Sequence, residues 1–149
     1  MRLPIAALAA LAATTASAHA AQPVGGAHYV GKTAVGGRVS VRVNDDGSAI
    51  PKNGFAAHLK STCSNGERVN GSVVSFRIKI RSGGAFVQER SGGLRSERGG
   101  PADAGSYRFR ITGRFGPRRV LKGTIESKTR QSNGIVCRTG RVSYAARVR

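Results

Sequence analysis

Ten basic side chains at alternating positions carry the one chemistry this sequence offers in quantity, the electrostatic capture of oxyanions. Arg38 and Arg42, then Arg77, Lys79 and Arg81, then Arg108 and Arg110, then Arg141, Arg147 and Arg149 are separated by even numbers of residues within each group. An extended strand repeats its side chains with period two, so the members of each group share one face of a strand. Guanidinium groups suit bidentate contact with phosphate, sulfate or carboxylate. If the strands are neighbours, the groups merge into a basic face. If they are not, the charges are a solvated surface and nothing more.

The bulk charge points the same way. Lys and Arg number 25 against 7 Asp and Glu, for a formal net charge of +18. A field of that sign draws polyanions from a distance and weakens as salt is added. The partners expected are anionic cell-envelope polymers or acidic polysaccharide. Specific nucleic-acid recognition fits less well, because single-strand binders interleave exposed aromatic rings with cations. Here Phe55, Phe76, Tyr107, Phe109 and Tyr144 fall on the apolar side of their strands and read as core.

The spacings do not assemble a catalytic centre. There is no Gly-x-Ser-x-Gly elbow and no His-Glu-x-x-His pair. The histidines are His19, His28 and His58, and His58 on the polar side of a strand reads as a solvated residue. Asp45-Asp46-Gly47 reads as a turn, since no further oxygen ligands follow at calcium-loop spacing. No catalytic residue, metal or cofactor is therefore expected. An acidic-polysaccharide lyase is the enzyme class whose residue types are present, in Tyr107, Arg108, Arg110, His58 and Tyr144, although both tyrosines fall on inward positions. The leading expectation is a non-enzymatic binding protein; the alternative is a structural or protein-interaction module that takes no polyanion.

The elements that must position these residues begin after a leader. Residues 1–20 combine a positive start, an apolar run and a small-residue cleavage region ending Ala18-His19-Ala20, the pattern of a secretory signal peptide. The apolar run is about 10 to 12 residues, short of the ~20 that span a bilayer. Cleavage after Ala20, preferred over Ala18, removes only Arg2 among charged residues and leaves residues 21–149 as a single basic β domain of charge +17. The expected location is secreted, periplasmic or cell-envelope associated, with no transmembrane segment in the mature chain. Cys63 and Cys137 are the two cysteines, and in an exported chain an even pair reads as one disulfide, the alternative being two buried thiols.

Alternation then supplies the strands. Val39, Val41 and Val43 share a face, and Ser48-Ala49-Ile50 reads as the return arm of a hairpin beyond Gly47. Phe55, Ala57, Leu59, Ser61 and Cys63 point inward on the next strand, and Val74, Phe76, Ile78 and Ile80 on the one after. Residues 82–106 are Gly-rich and read as a flexible loop, with only Phe86-Val87 suggesting a brief strand. Tyr107, Phe109 and Ile111, then Leu121 and Ile125, mark two further strands. Gly134 to Arg138 and Arg141 to Arg149 read as a last pair joined by a turn at Thr139-Gly140. About eight short strands with glycine turns predict an all-β antiparallel sandwich or flattened barrel.

Several of these residues carry a resemblance. Tyr29-Val30-Gly31-Lys32-Thr33, Cys63-Ser64-Asn65-Gly66, Cys137-x-Thr139-Gly140 and Val142-Ser143-Tyr144 together resemble a family of small secreted bacterial β-rich proteins of unknown function. The motifs are turn and core residues. The resemblance implies export, a cysteine pair and a β fold, and it implies no activity.

Overall fold

The computed structural model describes residues 21–94 and 105–149. The expected leader, residues 1–20, lies outside them. Among the described residues ten strands run in chain order: β1 (His28–Thr33), β2 (Arg38–Arg42), β3 (Ala49–Ile50), β4 (Phe55–Cys63), β5 (Arg68–Val74), β6 (Ile78–Lys79), β7 (Ala85–Gly93), β8 (Gly105–Gly116), β9 (Val120–Gln131) and β10 (Val136–Val148). A 3-10 turn, Pro117–Arg119, separates β8 from β9. The fold is all-β and antiparallel, as the alternation predicts.

Eight strands form one sheet in the order β5-β4-β2-β1-β10-β9-β8-β7, and β3 with β6 forms a small second sheet. The large sheet closes because β4 also pairs with β10. Closure follows from strand lengths. The β1–β2 hairpin lies between β10 and β4, but β4 and β10 are nine and thirteen residues long and outrun it. Past the hairpin tip they meet directly, Cys63 opposite Cys137 and Thr62 opposite Arg138. The Cys63–Cys137 disulfide is formed at this junction, and the Ser64 N–H donates to the Val136 carbonyl beside it at 2.8 Å.

The interior is built from the inward half of each alternating run. Val39, Val41, Phe55, Ile111, Leu121 and Ile125 are fully buried, with Tyr29, Phe86 and Phe115 beside them. Tyr29 meets Phe115 edge to face with centroids 5.1 Å apart, and Phe55 meets Tyr144 in the same way at 5.5 Å. The Tyr144 hydroxyl donates to the Thr112 carbonyl at 2.9 Å, so the phenol is buried without an orphaned polar group. Burial also raises its pKa.

Two glycines make room for the rings. Gly113 on β8 stands opposite Gly123 on β9, flanked by Phe86 and Tyr144. A Cβ on Gly113 would come within 2.3 Å of the Phe86 ring and 2.6 Å of the Tyr144 hydroxyl.

At the far side of the sheet, the Gln88 side chain ties β7 to the chain after β5. Gln88 is buried; its Oε1 accepts from the Phe76 N–H at 3.1 Å and its Nε2 donates to the Arg77 carbonyl at 3.3 Å. A cleft of about 430 Å³ lies between β5 and the β8–β9 pair, with Val73, Phe76, Tyr107 and Phe109 among its walls.

Four expectations are corrected. Ala49-Ile50 pairs as a strand with β6 and not with β2; it meets the chain after β2 only at Asn44, whose N–H donates to the Ala49 carbonyl and whose Oδ1 accepts the Ala49 N–H. Within the predicted loop of 82–106, Ala85–Gly93 is a full strand paired with β8 from Ala85–Arg114 to Gly93–Ser106; residues 95–104 lie outside the described part. Val74 and Phe76 face solvent, 43% and 39% exposed, while Val73 and Ser75 turn inward. The Ser75 hydroxyl accepts the Phe55 N–H, which fixes that phase. The last two predicted strands are one strand, β10, with a bulge at Thr139-Gly140 where the pairing to β9 slips. Gly140 adopts the left-handed φ of 65° that a bulge of this kind favours.

Replacing Gly113 by Ala is expected to destabilise the fold by about 1 to 3 kcal/mol through overpacking. A fall in the urea midpoint at unchanged slope would report it; an unchanged midpoint would show that the rings do not need the space.

Candidate polyanion-binding face

β8, β9 and β10 carry nine exposed cations outward: Arg108, Arg110 and Arg114, then Lys122, Lys128 and Arg130, then Arg138, Arg141 and Arg147. Two carboxylates share the face, Glu89 on β7 and Glu126 on β9. The registers sort these groups into rows across the strands. One row reads Arg108, Lys128, Arg138. The next reads Glu89, Arg110, Glu126, Arg141, with signs alternating. A hydroxyl row follows, Thr112, Thr124 and Ser143, in which the two threonine hydroxyls lie 2.8 Å apart. Beyond it come Arg114 and Lys122, continued through Ala145 to Lys32 and Arg38.

Charge balance on this face is local. Glu89 receives Arg108 at 3.5 Å and Arg110 at 3.6 Å, all three substantially exposed. Exposed pairs of this kind contribute between nothing and about 1 kcal/mol. They place charge more than they hold the fold. A depression of about 300 Å³ sits over them, lined by Glu89, Arg108, Arg110, Glu126 and Lys128 with Phe109 beneath.

The ten cations singled out from the sequence fall into three places. Arg108, Arg110, Arg141 and Arg147 lie on the β8–β10 face, and Arg38 joins its far row through Lys32. Arg42 and Arg149 flank His28 at the open ends of β2 and β10, where the Arg149 N–H donates to the His28 carbonyl. Arg77, Lys79 and Arg81 are exposed on and around β6 of the small sheet and do not belong to this face. The sequence reading missed Arg114, Lys122, Lys128, Arg130 and Arg138. The inward positions of β9 after Ile125 are Ser127 and Thr129, so no apolar alternation marks the strand there. The charged residues Lys122, Glu126, Lys128 and Arg130 are themselves spaced evenly, and that was the available signal.

The lyase constellation does not assemble. Tyr144 points into the core against Phe55, and Tyr107 stacks on Phe109 with centroids 6.0 Å apart. His58 stands outward on β4, where its Nδ1 meets the Ser72 hydroxyl at 3.0 Å. Phe76, expected in the core, is instead a surface ring covered by the Arg90 guanidinium at 4.8 Å from its centroid.

His28 is a titrating group that its surroundings shift. Its Nε2 lies 2.7 Å from the Ser40 hydroxyl. Burial first, then the charges of Arg42, Arg149 and Arg38, hold the imidazole below its ordinary value of 6.5.

No family model, curated protein or solved structure matches the chain.

Because the folded pKa of His28 is depressed, the unfolded chain binds more protons just below pH 6.5. Stability contributed by neutral His28 is complete above 6.5 and is lost as pH falls toward the folded midpoint. An NMR titration should place the His28 midpoint below 6.5, and Arg42→Gln should move it upward. A midpoint at or above 6.5 would contradict the described surroundings.

Proposed function

We propose that this chain is an exported, non-enzymatic β protein that associates electrostatically with anionic polymers of the cell envelope or the extracellular space. The observation that carries the reading is the face of β8, β9 and β10, where nine outward cations stand against Glu89 and Glu126. A solvated surface without a partner would gain from placing its acids among its cations. Here the other described acids, Asp45, Asp46 and Glu67, sit outside the strands, before β3 or in the turn after β4. The leader-like residues 1–20 and the disulfide suit a chain that works in an oxidising compartment. Arginine forks on a rigid sheet bind phosphate, sulfate or carboxylate without large loss of side-chain freedom per contact.

Heparin and polyphosphate binding across a salt series tests the reading. The expected result is binding at low salt whose logarithm falls linearly with the logarithm of salt concentration. Absence of binding at low salt, or affinity that salt does not change, would overturn it. Export is checked by mass spectrometry of the culture fluid and envelope, which should find a chain beginning at Ala21.

A further inference from the structure

Like charges directly opposite one another destabilise a sheet. Arg108, Lys128 and Arg138 nonetheless stand opposed on β8, β9 and β10. The line does not stop there. Arg138 is opposite Thr62 on β4, and Thr62 is opposite Arg68 on β5. With neighbouring strands ~4.8 Å apart, the path from Arg108 to Arg68 runs ~19 Å over five strands. It is continuous only because β4 and β10 touch at two residue pairs, one of them the disulfide.

Two carboxylates, Glu89 and Glu126, belong to the adjoining row, ~6.6 Å along the strands, from which Glu89 reaches Arg108 at 3.5 Å, and Glu67 precedes Arg68 at the far end of the line. Among the described residues no ion pair reaches Lys128, Arg130, Arg138 or Arg68. Beside the row the surface is concave. A depression of about 470 Å³ is lined by Ser91, Ser106, Tyr107, Arg108, Lys128 and Arg130. Three cations and two serine hydroxyls around one hollow can meet several oxygens of a single tetrahedral oxyanion.

We infer that this row and its depression form the seat for a linear phosphate polymer, an inference that rests on the polyanion reading above. One phosphate occupies the hollow between Arg108, Lys128 and Arg130. The chain then crosses β10 and β4 toward Arg68, with the Thr62 hydroxyl as a neutral donor on the way. Cations one strand apart call for a chain whose charges repeat at a similar interval. A polymer with a single carboxylate per disaccharide leaves most of them unmatched. Glu89 and Glu126 repel the polymer from the neighbouring row and so confine it to this one.

The test compares two triple variants of equal charge loss on the full chain, both at exposed positions and both checked for unchanged thermal unfolding. One carries Arg108→Gln, Lys128→Gln and Arg138→Gln; the other carries Lys32→Gln, Arg38→Gln and Arg114→Gln. The first should weaken polyphosphate binding at least about tenfold and lower the salt slope by about 2 to 3, the second should cost only a fewfold. Equal losses in the two variants overturn the row and leave the broader polyanion reading standing. Tighter binding of hyaluronate than of polyphosphate by the unaltered chain overturns the phosphate assignment. Failure of the unaltered chain to bind heparin, hyaluronate or polyphosphate at low salt removes the broader reading itself.

Discussion

The contact between β4 and β10 turns a curled sheet into a closed body. It consists of two opposed pairs, Cys63 with Cys137 and Thr62 with Arg138, and the covalent bond of the first spans 74 positions of sequence. Linking so distant a pair restricts the unfolded chain by about 4 kcal/mol on a loop-entropy basis. That is comparable to the whole net stability of many small domains. The bridge matters here because the non-covalent part of the junction is short. Two residue pairs, with the Ser64 N–H on the Val136 carbonyl beside them, are little to set against the entropy of closing the sheet. Everything inside depends on that closure, since Phe55 of β4 reaches Tyr144 of β10 only across the rolled sheet.

The interior and the outer face are two readings of the same alternation. Each inward Val, Ile or Phe that fills the core leaves an outward neighbour, and on β8 and β10 that neighbour is most often arginine. The sheet thus fixes the spacing of the charges as rigidly as it fixes the core. An arginine on a loop could move away from its neighbour; Arg108, Lys128 and Arg138 are held by paired backbone at one strand interval. The repulsion is built in by the ladder.

How far the sequence can be read depends on whether both faces of a strand carry contrast. β2 is legible because Val39, Val41 and Val43 alternate with Arg38, Ser40 and Arg42. The disulfide is legible because only two cysteines exist. β7 was hidden because its second half, Arg90 to Gly93, has no apolar residue, and its order comes from nine paired positions on β8. The phase of Val74 and Phe76 was misjudged for a related reason. A hydroxyl, Ser75, takes the buried place by accepting the Phe55 N–H from twenty residues away, and no local pattern announces that. The basic face was half legible: its arginines on β8 and β10 follow from alternation, whereas the row through Lys128 requires the register of β9, which only the folded sheet supplies.

The opposed cations have one more consequence, which concerns the solvent. A native state that gathers positive charge more tightly than the unfolded chain condenses small anions from the medium and releases them when it opens. Folding and anion uptake would then be thermodynamically linked, so that a multivalent anion preferring the folded face would add to the stability of the sheet.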